Sequence, residues 1–74
     1  MSIVSTATAR RGVKSGRYLV RQYGEDGTQY ADLPRLPRTR TERNQASVIR
    51  DNGERYLVLD DCHNQTTDHV RIGW

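Results

Sequence analysis

The residue types best suited to chemistry lie near the end of the sequence, where the run Asp60–His63 is followed by Asp68 and His69. Carboxylates, thiolates and imidazoles are metal ligands, and a cysteine beside a histidine can form a nucleophilic pair. The spacing supports neither role, because a zinc site needs several Cys or His ligands at short intervals, and adjacent side chains of an extended segment point to opposite sides. We therefore expect no catalytic residue, no metal site and no cofactor, and we interpret Cys62 as a small apolar residue at a strand end.

Arginine is the second residue type with a binding role, and its distribution is uneven. It supplies 11 of the 12 basic residues of a chain whose formal net charge is +3. Residues 1–22 hold no acid, and residues 35–43 hold only Glu42. Because the planar guanidinium can form two parallel hydrogen bonds to one phosphate or carboxylate group, both stretches are candidate binding surfaces. The predicted partner-binding residues are Arg10, Arg11, Lys14, Arg17, Arg21, Tyr23, Arg35, Arg38, Arg40 and Arg43.

Within the first stretch, the residue types alternate with the period of a strand. Tyr18 and Val20 would face a core, and Arg17, Arg21 and Tyr23 would share the opposite side. A basic face that carries an aromatic ring is typical of single-strand nucleic-acid binders, in which bases stack on the ring. The alternative is an ordinary solvated strand with Tyr23 at a barrel end, and the acids of the last third would repel a nucleic-acid backbone unless they face away.

The same alternation recurs along the chain and predicts an all-β fold, since no long window carries a helical apolar stripe. Residues such as Asn52 and Gly53 separate the strands and tolerate the positive φ angles of tight hairpin turns. We expect a small five-stranded antiparallel barrel or strongly bent sheet, of SH3-like or OB-like size. The strands are predicted at residues 16–23, 28–33, 46–50, 55–60 and 69–74.

The domain organisation follows from the segments without this alternation. Residues 1–15 are predicted to form a flexible basic N-terminal arm, and residues 16–74 a single small β domain. Within that domain, residues 34–45 are predicted to be a basic connection, because Pro34 and Pro37 exclude a central strand.

The connection has two further features. Thr39 and Glu42 stand at capping-box spacing, which allows one short helical turn near residues 39–45. The PxxP step from Pro34 to Pro37 could bind an aromatic groove as a polyproline helix, but its basic residue is misplaced for the usual ligands. A semi-rigid spacer is the simpler interpretation.

Length and cysteine content bound the class of protein. A chain of 74 residues makes one domain with a thin core. Its single cysteine, Cys62, cannot form an intramolecular disulfide, which fits a reducing compartment. No apolar run has the length of a secretion signal or a membrane segment. We expect a cytoplasmic protein with no membrane partner.

These features favour a small non-enzymatic intracellular binding protein. The leading hypothesis is a regulator of phage or mobile-element type that docks on RNA, DNA or a nucleoprotein machine, with RNA polymerase as the concrete case. One alternative is a structural or adaptor β-barrel protein of a virion or another oligomeric assembly. Another is a single-strand nucleic-acid-binding module. The oligomeric state is left open by the sequence.

Overall fold

The computed structural model describes residues 2–24 and 26–72, without the side chain of Tyr30, as one open sheet with two short helices. The fold is mostly strands, as predicted, and each of the two helices contributes a buried residue to the same core. No described helix has the length and apolar character needed to span a membrane. The elements in chain order are β1 (Ser2–Val4), α1 (Thr6–Lys14), β2 (Tyr18–Tyr23), β3 (Gln29–Leu33), α2 (Arg40–Ala46), β4 (Ser47–Ile49), β5 (Arg55–Asp61) and β6 (Thr66–Ile72).

The strand order is β1-β6-β5-β2-β3, and β4 pairs with the first half of β5. All pairings are antiparallel except that of β1 with β6, which is parallel. Of the two predicted forms, barrel or strongly bent sheet, the barrel is wrong, and the sheet has six strands with one parallel pairing where five antiparallel strands are predicted. Because β1 joins the sheet beside β6, the sheet ends at β1 on one side and at β3 on the other, and these two edges do not meet.

The core lies between the sheet and the two helices. Tyr18 and Val20 of β2 are buried with Leu57 and Leu59 of β5, as period-two alternation requires. The prediction that Tyr18 and Val20 face the core is confirmed. Small residues of the helices complete the cluster, with Ala9 from α1 fully buried.

The N-terminal segment differs most from its prediction. Instead of a flexible arm, residues 2–14 form β1 and α1. Ser5 caps the helix by accepting a hydrogen bond from the backbone N–H of Thr8 at 3.1 Å. The buried face of α1 is made of Ala9 and Gly12, which are too small to produce a recognisable apolar stripe.

Gly12 explains how so short a helix docks on the sheet. A Cβ atom at this position would overlap the ring of Tyr18, so the helix backbone lies directly against that side chain. Close contact of backbone and ring attaches one face of a helix that has little apolar surface of its own. Tertiary packing here overrides a weak local helix preference.

The helical turn predicted near residues 39–45 is confirmed as α2. The Thr39 hydroxyl accepts a hydrogen bond from the backbone N–H of Glu42 at 3.1 Å, in line with the capping-box spacing. The hairpin turn between β4 and β5 is also present, with Gly53 at a φ of +80°. The last strand begins at Thr66, inside the segment predicted as a loop, and Trp74 lies outside the described residues.

Candidate functional site: a basic cleft beside helix α1

Six of the predicted partner-binding cations form two groups in the structure. Arg17, just before β2, and Arg21 of β2 pair with carboxylates of β5. The other four line a common cleft: Arg10 and Lys14 of α1, and Arg35 and Arg38 of residues 34–38. The two groups therefore differ in how much of their charge is available to another molecule.

Arg17 is held by Asp61, the most buried acid of the described residues. Its Nη2 lies 2.8 Å and its Nε 3.0 Å from Asp61 Oδ2, while the carboxylate side chain is only 1% exposed. The same carboxylate accepts hydrogen bonds from the backbone N–H groups of His63 and Asn64. The guanidinium and these donors hold the pKa of Asp61 well below its usual range.

Arg21 forms the second ion pair of β2. Its Nε donates to both oxygens of Asp60 at 2.9 Å, and its Nη2 lies 2.8 Å from Oδ1 and 3.3 Å from the Thr67 hydroxyl. The bond to Asp60 raises the pKa of Arg21. The predicted face of Arg17, Arg21 and Tyr23 is thus a strand surface on which two acids neutralise the two arginines.

The cations of the second group face each other across a cleft of about 420 Å³. Arg10 and Lys14, one helical turn apart on α1, form one wall, and the Pro-Arg segment at residues 34–38 forms the other. We call this feature the basic cleft. It is lined by Arg10, Val13, Lys14, Pro34, Arg35, Leu36, Pro37 and Arg38.

The charge of the basic cleft is only partly balanced. Arg35 Nη2 lies 2.6 Å from Glu42 Oε2, and this contact lowers the pKa of Glu42. Within residues 2–24 and 26–72, no ion pair is formed by Arg10, Lys14 or Arg38. Three cations in close array and without acidic partners repel one another, and an anionic ligand relieves that repulsion.

A second cavity of about 350 Å³ adjoins the basic cleft and shares Arg10, Leu36 and Pro37 with it. We call it the apolar groove. It runs between α1, the Pro-Arg segment and the sheet. Its floor consists of Ala9, Leu36, Pro37, Leu57, Val70 and Ile72, and its rim carries Arg10, Arg43 and Arg71.

Two of the predicted cations, Arg11 and Arg40, line neither cavity. Arg11 lies on α1 with its Nη2 3.4 Å from the Thr8 hydroxyl, and Arg40 is exposed at the first position of α2. Sequence reasoning missed Arg71, because residues 50–74 hold five acids against three arginines. The groove is nevertheless lined by Arg71 together with Val70 and Ile72 of the same strand.

The cluster that resembled an enzyme site is dispersed. Cys62 is exposed on the turn between β5 and β6, with its Sγ 3.9 Å from the carbonyl oxygen of Asp60. Asp61 is committed to Arg17, and His69 lies in β6 on the far side of the turn. Across the described part of the chain, no group of three or more His, Cys, Asp or Glu could hold a metal ion.

His69 is a buried histidine with a cationic neighbour. It is 7% exposed, its Nε2 lies 2.6 Å from Nη2 of Arg50, and its ring meets that of Tyr56 edge-on. A guanidinium can only donate, so Nε2 accepts and the ring is neutral. Burial and the charge of Arg50 lower the pKa of His69.

Comparison of the chain with models of known protein families, with curated proteins and with solved structures found no match. The functional argument therefore depends on the geometry of the basic cleft and the apolar groove.

Proposed function

We propose that the protein is a non-enzymatic binding protein that docks on an anionic surface of a nucleoprotein machine through the basic cleft. The observation that carries this proposal is the approach of two separate basic stretches of the sequence, with Arg10 and Lys14 on one wall and Arg38 on the other. Cations that form no ion pair with another described residue are available to phosphates or carboxylates of another molecule. RNA polymerase, with its bound nucleic acid, is the concrete partner that we propose.

The regulatory role remains a proposal that follows from size and charge. A chain of 74 residues with one basic cleft can occupy a site on a larger assembly and alter its activity without any chemistry of its own. The unpaired cations would speed the encounter with a negatively charged surface and fix the orientation of docking. A cytoplasmic location fits this role.

Binding to purified bacterial RNA polymerase, to duplex DNA and to single-stranded RNA tests the proposal. We expect salt-sensitive binding to at least one of the three, which weakens about a hundredfold between ~50 and ~200 mM salt if roughly four phosphates are neutralised. The double variant Lys14→Glu/Arg38→Glu should lose this binding. The control Arg55→Glu, at an exposed position at the start of β5, should retain it. Salt-insensitive binding, or no binding to any of the three, would contradict the proposal.

A second candidate function is that of an adaptor in an oligomeric assembly. It is favoured by the open sheet, in which β1 and β3 are unpaired on one side within the described residues. Ile3 of β1 is 55% exposed, and Ile49 of β4 is 60% exposed. Such edges and side chains can pair with another copy. Light scattering at micromolar concentration separates the candidates, since a stable oligomer favours the adaptor and a monomer favours the regulator.

Of the three predicted functions, the single-strand nucleic-acid-binding module has the least support from the contacts of β2. Its predicted platform on β2 has both arginines paired with Asp60 and Asp61. A phosphate would have to displace these carboxylates before it could bind there.

A further inference from the structure

The apolar groove has a different chemistry from the basic cleft beside it. Its floor is aliphatic: Leu36, Pro37 and Ile72 are half-buried, and beneath them Leu57, Val70 and Ala9 belong to the buried cluster that forms the core. The half-buried residues therefore present apolar surface directly above the core, between α1 and the Pro-Arg segment. Water in contact with such a floor is released when an apolar group replaces it, which favours binding.

The lining disfavours a nucleobase. Sequence-tolerant binding of unpaired bases depends on aromatic rings, and each stacked base is worth about 1–3 kcal/mol. None of the described lining residues of the groove is aromatic. Tyr18 is buried beneath α1, and Tyr56 is buried with its hydroxyl accepting a hydrogen bond from Asn52.

The size of the groove limits its occupant. Its volume of about 350 Å³ lies at the lower end of the range of about 300–1,000 Å³ that is typical of ligand pockets. The groove can accept one or two bulky side chains, but the main chain that carries them has to lie outside, along the rim.

Three arginines from three different elements line the groove. Arg10 comes from α1, Arg43 from α2 and Arg71 from β6, and Arg43 also interacts with another part of the protein. Arg71 shares its charge with Glu54 at 3.1 Å, but both side chains are well exposed, and exposed ion pairs of this kind exchange partners at little cost. A main chain that follows the rim meets positive charge on both sides of the side chain that enters the groove.

We propose that the apolar groove binds a short acidic segment of a partner protein, which inserts a bulky apolar side chain between flanking carboxylates. This inference rests on the proposed function and specifies it: the anionic surface that docks here is an acidic peptide segment and not a nucleic-acid backbone. The apolar side chain replaces water on the floor, and the carboxylates form paired hydrogen bonds with the guanidinium groups of Arg10 and Arg71.

An NMR titration of the isotope-labelled full chain tests this inference with three probes. The first is the peptide Glu-Asp-Leu-Leu-Asp-Glu, the second has both leucines replaced by serine at equal charge, and the third is a single-stranded oligonucleotide of similar charge. We expect the leucine peptide to shift the signals of Ala9, Leu57 and Val70. We also expect it to bind at least about tenfold more tightly than the serine peptide, as burial of one apolar side chain predicts.

Two variants locate the site. Arg10→Ser should weaken the leucine peptide severalfold, and Arg40→Ser, which removes an exposed arginine outside both cavities, should leave its affinity unchanged. Equal affinity of the two peptides, or tighter binding of the oligonucleotide than of the leucine peptide, overturns the inference and leaves the proposed function standing. Failure of all three probes to bind at low salt, together with no binding to RNA polymerase or duplex DNA, overturns both.

Discussion

Strand β2, with Arg17 just before it, and helix α1 follow each other in the chain and both carry positive charge, but the charges have different partners. Arg17 and Arg21 are paired with the carboxylates of Asp61 and Asp60. Arg10 and Lys14 of α1 form no ion pair with any described residue. The sheet places acids of β5 beside β2, whereas α1 lies against a segment that is itself basic. A high density of arginine is therefore not by itself a binding surface.

The largest effect on stability is expected when the carboxylate of Asp61, the partner of Arg17, is removed. Asp61→Ala deletes a buried acceptor, so the Arg17 guanidinium and the backbone N–H groups of His63 and Asn64 lose their hydrogen bonds to it. We expect the free energy of unfolding, measured by urea denaturation, to fall more than for any other variant proposed below. Asp51→Ala, in an exposed turn, is the control and should have little effect. A similar loss for both variants would show that the Asp61 network is unimportant.

The next largest effect on stability is expected where helix α1, which carries Arg10 and Lys14, packs on the sheet. Gly12→Ala gains up to about 1 kcal/mol of helix preference, but its Cβ overlaps the Tyr18 ring, and overpacking costs about 1–3 kcal/mol. We expect a net loss of stability in thermal denaturation and weaker binding to the partner, because α1 moves away from the sheet. Ala7→Gly, at an exposed position, lowers helix preference without the overlap and is the matched control. Greater stability of Gly12→Ala would contradict the close docking of α1.

A third test uses pH and the buried His69, which accepts a hydrogen bond from Arg50. Because the pKa of His69 is lowered in the folded state, the unfolded chain binds more protons below about pH 6.5. This contribution to stability is therefore present above that pH and is lost as pH falls through the unfolded pKa towards the folded one. We expect His69→Gln to reduce the difference in unfolding free energy between about pH 7.5 and 5.5. His63→Gln, on the exposed turn, should leave that difference unchanged.

The smallest effect on stability is expected in the basic cleft itself. Lys14→Ser and Arg38→Ser remove cations that have no internal partner in the described residues, so the unfolding free energy should change by no more than about 0.5 kcal/mol. Both should nevertheless elute from a heparin column at lower salt than the wild type. Arg17→Ser is the comparison variant, and it should lose more stability than either. An equal loss in all three would remove the distinction between the two regions.

The strands could be predicted from the sequence because their side chains alternate and their turns carry glycine and asparagine. Tyr18 and Val20 were assigned to the core on this ground, and Thr39 marked the start of α2. Helix α1 could not be predicted, because the residues that dock it are Ala9 and Gly12, and the depth of their burial depends on the ring of Tyr18. Local patterns do not contain that contact.

The candidate site was predicted only in part. Arg10, Lys14 and Arg38 were identified as cations, but nothing in the sequence indicates that they line one cleft. The pairing of Arg17 with Asp61 joins residues 44 positions apart, and it depends on the register of β2 against β5. Arg71 and the floor of the apolar groove follow from the same tertiary arrangement.

The parallel pairing of β1 with β6 sets the order in which the chain can acquire its structure. Ser2 lies opposite Asp68, and Val4 lies opposite Val70, so β1 cannot pair with a neighbouring strand until β6 is present. During synthesis, β1 and the edge of β5 that pairs with β6 are exposed until β6 has left the ribosome. Long-range pairings of this kind form slowly, and unpaired edges invite aggregation in the meantime. The protein thus completes its sheet only after translation has passed Ile72, when β6 pairs with β1 and with β5 in a single late step.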